Sequence, residues 1–218
     1  MAIEDLYALF LNSSGVSTDS RNVEPGSLFF ALQGATFDGN QYALPAIEKG
    51  AAYAVIDNAD YKKDDRCLLV DEVLSTLQEL ARFHRRRFGV PVIALTGSNG
   101  KTTTKELIAA VLGSQYRAHS TKGNFNNHIG VPLTLLAMPE ETQVAIIEMG
   151  ANHVGEIAEL CRIAEPTHGL ITNIGKAHLE GFGGLEGVKK GKSELYRFIE
   201  ANRGVLFVNL DETFLQEL

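Results

Sequence analysis

A chain of 218 residues allows one large domain or two ordinary ones, and its 44% hydrophobic content is enough to bury a core. The net charge of −7 is spread evenly, −4 over residues 1–89 and −3 over residues 90–218, so no segment builds the basic face that nucleic acid binding needs. The opening "MAIEDLYALF" has no basic start and no long apolar run, so neither a signal peptide nor a membrane insertion is expected.

Along the first part, strand-like and helix-like pieces alternate. "SLFFAL" at 27–32, "AYAVID" at 52–57 and "CLLV" at 67–70 are expected strands, with a helix near Gln41–Lys49. A longer helix is expected from about Asp71 to Phe88, with Val73, Leu77, Leu80, Ala81, His84 and Phe88 on one face. Arg85, Arg86 and Arg87 could clamp a phosphate, but a run of cations at a helix end is expected to be a solvated terminus complementing the dipole. Cys67 and Cys161 are far apart and are expected as reduced, buried thiols of a cytoplasmic protein.

Gly89-Val90-Pro91 closes that helix and opens a new region. From Val92 the strands are uniformly apolar: "VIAL", "VAIIEM" at 144–149, "GLITNI" at 169–174 and "GVLFVN" at 204–209. Such runs suit a parallel sheet covered on both faces. Helical stretches at 102–112, 154–163 and 185–201 separate them, and one helix-like scrap follows the last strand. The fold class is therefore α/β. A small domain at 1–89 precedes a doubly wound, mostly parallel-sheet domain at 90–218, with sites at the carboxyl ends of its strands.

The most informative run is "VIALTGSNGKTTTKELIAAVL". Between strand and helix lies Thr96-Gly97-Ser98-Asn99-Gly100-Lys101-Thr102, a glycine-broken turn whose backbone N–H groups can point at phosphate oxygens. The helix adds its free N–H groups and positive dipole end; Lys101 would reach the terminal phosphates and Thr102 a magnesium ion. This predicts a nucleoside-triphosphate site rather than a chance Gly-Lys-Thr. Leu95 stands where the general phosphate loop has its first glycine, which sets this loop apart from the ordinary GTPase or kinase type.

Other candidates follow strands. Glu148 ends "VAIIE", where a carboxylate can hold magnesium opposite the loop or be a plain strand-end acid. His178, in "AHLEGFGG", is better placed as a ligand than the lone histidines His84, His119, His153 and His168. "KGNFNNHIGVP" sets three asparagines, Asn127 among them, between two glycines, where amides could reach a γ-phosphate or orient a reacting group, or simply shape a turn. From spacing alone, Lys189, Lys190 and Lys192 are a solvated helical face.

Together, these pieces in this order resemble the Mur ligase family, ATP-dependent amide ligases of cytoplasmic peptidoglycan assembly. Its shortened loop is Thr-Gly-x-Asn-Gly-Lys-Thr, which is Thr96–Thr102 here and explains Leu95. "GNFNNHIGVPLTLL", "EMGAN" and "NIGKAHLEGFG" look like the member that joins D-alanyl-D-alanine to a UDP-N-acetylmuramoyl-tripeptide. "STDSRNVEPGSLFFALQGATFDGNQYA" at 17–43 resembles the domain that holds the UDP end of that substrate. The resemblance implies that Gly97, Ser98, Asn99, Gly100, Lys101, Thr102 and Thr103 cradle ATP, with Asn127 beside them. It implies magnesium on Thr102 and Glu148, and a second magnesium on His178. It implies that Lys192 reacts with carbon dioxide to give a metal-bridging carbamate, Lys189 and Lys190 being close enough to compete. Ser20 and Arg21 would contact the uridine diphosphate. Catalysis would rest on Lys101, Lys192 and His178. The family continues into a third domain, so this chain is expected to be a truncated piece, inactive alone, of a monomeric ligase, with an exposed edge where the sheet is cut. The rival readings are another Mur-type ligase, or a nucleotide- or UDP-sugar-binding fragment without catalysis; Asp19-Ser20-Arg21 disfavours a folate-polyglutamating relative.

Overall fold

Alternating apolar runs in the first part become short parallel strands with helices laid between them. The computed structural model describes residues 1–175 and 178–217; Lys176 and Ala177 of the "NIGKAHLEGFG" motif, and Leu218, lie outside that description. The chain forms two compact units, Met1–His84 and Arg85–Leu218.

The first unit runs α1 (Ile3–Leu11), β1 (Val16–Ser17), β2 (Leu28–Phe30), the hairpin β3 (Gln33–Gly34) and β4 (Phe37–Asp38), α2 (Ala43–Glu48), β5 (Tyr53–Ile56), β6 (Cys67–Leu69) and α3 (Val73–Arg86). Its main sheet is parallel throughout in the order β1-β2-β5-β6. Phe29, Ala54 and Ile56 pack with Ala46 and Ile47 of α2 in its core. Helix α3 starts where Asp57 and Glu72 accept the N–H groups of Val73, Leu74 and Ser75, which satisfies a helix start with carboxylates. Its apolar face is buried at Val73, Leu77, Leu80, Ala81 and His84, as the spacing predicts, whereas Phe88, expected on the same face, lies past the helix end at Arg86 and is only half-buried. The division between units falls inside this helix, at His84–Arg85.

The second unit continues with β7 (Val92–Thr96), α4 (Lys101–Gly113), β8 (Ala118–Ser120), α5 (Gly130–Leu136), β9 (Val144–Glu148), α6 (Glu156–Ala164), β10 (His168–Ile171), α7 (Leu179–Phe182), α8 (Leu185–Lys192), α9 (Glu194–Ala201), β11 (Val205–Phe207) and α10 (Thr213–Glu217). All five strands are parallel, in the order β11-β10-β7-β9-β8. The chain leaves β7 toward β8 on one side and later crosses to β10 on the other. With right-handed crossovers these moves put helices on opposite faces, so β7 marks the switch point where α/β sheets carry their sites. Every residue of β9 is buried. The outer strand β11 stays open, with Val205, Leu206 and Phe207 exposed.

Expectations for two further helical segments need correction. The expected single helix over 185–201 is α8 and α9, parted at Ser193. The solvated arginine terminus is not solvated at Arg85, whose side chain is only 7% exposed. Its guanidinium donates to the carbonyls of Ala164, Glu165 and Phe88 at 3.0, 3.1 and 2.9 Å. A cation thus closes the carboxyl end of α6, where the orphan carbonyls and dipole favour it. Burial pulls the Arg85 pKa down, and Glu165 opposes that shift. Arg86 pairs with the Glu165 carboxylate in the open.

Candidate functional site

At the end of β7 the backbone turns through Gly97 (φ 145°) and Gly100 (φ 77°) before α4 begins. Both lie in the region that favours glycine. At Gly97 a Cβ would also fall 2.0 Å from the Thr172 hydroxyl, so the close approach to the end of β10 needs the missing side chain. That neighbour holds the loop. Ser98 N–H donates to the Asn173 carbonyl (3.0 Å), and Asn99 N–H to Asn173 Oδ1 (3.1 Å). The Ser98 hydroxyl is exchanged with Gly175, and Thr172 Oγ1 donates to the Asn99 carbonyl (2.7 Å). The N–H groups of Ser98 and Asn99 are therefore spent inside the protein. What the loop presents outward is the start of α4, capped by no side chain. Helix α6, by contrast, starts on Glu194, which accepts the N–H groups of Gly155 and Ala158. An uncapped, glycine-led helix start is suited to an anion.

Lys101 opens α4 and folds back, its Nζ donating to the Gly97 carbonyl at 2.8 Å and lying 3.4 Å from that of Ser98. Burial lowers its pKa, while Glu148 pulls it back up. Glu148 ends β9 and is fully buried. Its Oε1 accepts from the Asn126 amide (2.8 Å) and the Thr102 hydroxyl (3.3 Å), and its N–H donates to Thr121 Oγ1 (2.9 Å). Its Oε2 has no partner among the described residues. A buried carboxylate oxygen with nothing to accept from is costly, and a cation relieves that cost. Among the described residues no three His, Cys, Asp or Glu side chains converge on one point. A hard cation here would draw on Glu148, the Thr102 hydroxyl, water and phosphate oxygens, a donor set that fits magnesium.

Beside the loop lies a cavity of about 340 Å³ lined by Lys101, Asn126, Asn127, His128, Gly150, Ala151, Asn152, Glu156, Glu159, Leu160 and His178. The wall joins the end of β9, the start of α6 and the asparagine loop to the phosphate loop. His178 begins α7 with φ 54°, an unusual backbone for a residue with a side chain. Asn127 is partly committed elsewhere: its Oδ1 accepts the N–H groups of Ile129 and Gly130 at 3.1 and 2.8 Å, capping α5. Sequence reasoning left Asn126 undistinguished among the three asparagines of its loop and passed over His128, Asn152 and Glu156. The signal for Asn126 was present in the asparagine run; spacing simply could not say which amide turned inward.

Lys192 ends α8 and is only 1% exposed, so the solvated helical face predicted from spacing does not hold for it. Its Nζ sits 3.3 Å from the carbonyl of Ala151, a cavity residue, and 5.2 Å from the centre of the Phe182 ring. Lys189 turns away to Glu186 (2.8 Å) and the Phe214 ring, and Lys190 is exposed. Burial first, and then the Lys101 charge, lower the Lys192 pKa to about 8. This has a sign for stability. Between pH 8 and the ordinary 10.5 the unfolded chain binds more protons than the folded one, so stability rises with pH across that window. The buried ammonium is fully unfavourable below pH 8 and costs nothing above 10.5. In urea unfolding without carbon dioxide, the advantage of Lys192→Met over the wild type should shrink by about 3 kcal/mol across the window. A pH-independent gap would show that the amine is not desolvated.

Ser20 and Arg21 belong to the first unit, on the turn between β1 and β2. Arg21 is exposed and its guanidinium is held by Asp19 at 2.7 Å, while the Ser20 carbonyl accepts from Lys49 at 2.6 Å. The Arg21 hydrogen bonds hold the Asp19 carboxyl down at about 2. Arg21 would have to leave Asp19, or share it, to meet a diphosphate. Both cysteines are free and buried, and burial pushes the Cys161 thiol up. Among the described residues no helix is long and apolar enough to cross a membrane.

Comparison with known proteins matches two family models to successive parts of the chain. The family model "Mur ligase middle domain" matches residues 95–218, and "Mur ligase family, catalytic domain" matches residues 12–94. The UDP-N-acetylmuramoyl-tripeptide--D-alanyl-D-alanine ligase of Bacillus subtilis is 47% identical over 93% of this chain and 44% of its own length. The solved MurF of Acinetobacter baumannii superposes with a TM-score of 0.87 at 35% identity, over 99% of this chain and 50% of that one. The MurF ligase of Thermotoga maritima, solved in complex with ADP, gives 0.86 at 33% identity, over 95% and 48%. The chain thus spans about half the length of the relatives it matches.

Proposed function

The chain belongs to the Mur ligase family, and from that premise we propose that it contributes the UDP-substrate unit and the ATP unit of a ligase joining D-alanyl-D-alanine to a UDP-N-acetylmuramoyl-tripeptide. The observation that carries this reading is the uncapped start of α4 beside the partnerless Oε2 of the buried Glu148: an anion seat next to a cation seat. Its support from outside is the 47% identity to a ligase of that specificity and the likeness to an ADP-bound relative.

In this reading the first-turn N–H groups of α4, through Thr103, hold the ATP phosphates, and Lys101 leaves the Gly97 carbonyl to meet the transferring phosphoryl group. Thr102 and Glu148 would hold one magnesium ion, and His178 would help hold a second, with Lys192 as a carbamate adding its negative charge. Bound there, magnesium would offset the negative charge on the phosphate oxygens. The tripeptide carboxylate takes the γ-phosphoryl group of ATP, becomes an acyl phosphate, and is attacked by the amine of D-Ala-D-Ala with release of phosphate. Ser20 and Arg21 take the uridine diphosphate end.

The test is phosphate release by a protein carrying this chain at the full length of its relatives. Release should require the UDP-tripeptide and D-Ala-D-Ala together. ATP binding with no phosphate release, whatever the acceptor, would favour the non-catalytic reading; release driven by a different amino acid would point to another Mur-type ligase.

A further inference from the structure

The asparagine that sequence reasoning did not single out sits on the acid the site depends on. Asn126 Nδ2 donates to Glu148 Oε1 at 2.8 Å; only the nitrogen end of an amide can face a carboxylate this way. The backbone around it is pinned. Asn126 N–H donates to the Asn124 carbonyl (2.7 Å), and its own carbonyl accepts Gly150 N–H (2.7 Å). Gly150 leaves room for the amide: a Cβ there would stand 2.9 Å from both Asn126 Cγ and Oδ1. From the far side, Thr121 Oγ1 accepts the N–H of Glu148, and the fully buried Lys105 donates to the Thr121 carbonyl at 2.7 Å.

The two carboxylate oxygens are therefore unequal. Oε1 accepts from Asn126 and Thr102, whereas Oε2 is buried and accepts from no described group. We propose that Asn126 is a positioning residue: it ties up Oε1 and fixes the carboxylate plane, leaving Oε2 as the oxygen presented to the cation. The inference rests on the reading of Glu148 as a cation ligand. Hydrogen bonds behind a ligating carboxylate fix its orientation, and their loss costs about 10- to 100-fold in metal affinity.

The experiment uses the chain itself and two titrations. Mn²⁺ binding in the presence of ADP is followed by electron paramagnetic resonance; ADP binding in EDTA is followed by calorimetry. Asn126→Ala should weaken Mn²⁺ by about tenfold or more while leaving metal-free ADP affinity unchanged. Unchanged Mn²⁺ affinity would overturn the proposal, and so would a parallel loss of both affinities, which marks a merely structural role. If Asn126→Ala does not fold, Gly150→Ala displaces the amide without removing it and should give the same split. A wild-type chain that binds ADP but no Mn²⁺ would instead overturn the cation reading of Glu148, and this inference with it.

Discussion

Lys101→Ala, in a protein of the relatives' full length, should lower ATP-dependent turnover by about 10²-fold or more, the usual cost of removing a central charge-stabilising contact. Lys101 is the one cation of the glycine-broken turn. Its Nζ waits on the Gly97 and Ser98 carbonyls, so it is held at the loop rather than waving in solvent. Burial there lowers its pKa, and Glu148 opposes the shift. A phosphoryl group in flight between ATP and a carboxylate spreads charge over its oxygens, and a desolvated ammonium meets it with little reorganisation. The variant should remain folded, because the loop is held chiefly by Thr172, Asn173 and Gly175. Steady-state phosphate release within a few fold of the wild type would overturn this role.

Much of the fold was legible because its signals are local and repeated. "VIAL" and "VAIIE" are apolar without alternation, and they became β7 and β9 at the centre of a parallel sheet. The face of α3 followed from spacing. Elements whose signals are short escaped notice. Helix α1 buries only Leu6, Tyr7 and Phe10; β1 and the β3–β4 hairpin are two-residue strands; β8 carries His119 and Ser120 in the sheet.

The candidate site was legible where a motif names its chemistry, at Gly97 to Thr103, and where a residue ends an apolar strand, at Glu148. It was not legible where tertiary contact decides. Nothing in "RRR" says that Arg85 closes α6, a helix 79 residues away in sequence from it. Nothing in "NFNN" says that Asn126 turns to Glu148 while Asn127 caps α5. The helical pattern of "GVKKGK" gives three lysines on a polar face; only packing shows that Lys192 is the buried one.

That burial makes the second large effect. Lys192→Ala, again at full length, should be nearly inactive, down about 10²-fold or more, and partly rescued by short carboxylic acids. To form a carbamate, Nζ must arrive without its proton; it attacks the carbon of carbon dioxide, loses an N–H proton to solvent and leaves a carboxylate on the chain. A pKa lowered to about 8 supplies far more free amine near neutrality than an ordinary lysine. The carboxylate so formed would replace a buried cation with an anion, which favours reaction only if a metal ion shares the charge. Rescue by acetate or formate follows from the same logic: alanine leaves a space, and a free carboxylate entering it would supply the negative charge that the carbamate would have carried. The neighbours are the control. Lys189 is paired with Glu186 and Lys190 is exposed, so their alanine variants should stay within a few fold of the wild type. Labelled carbon dioxide should give a carbamate carbon resonance in the wild type and in both control variants, and none in Lys192→Ala. A Lys192→Ala enzyme of near-normal turnover, or a resonance that vanishes with Lys189 or Lys190 instead, would move the modification off Lys192.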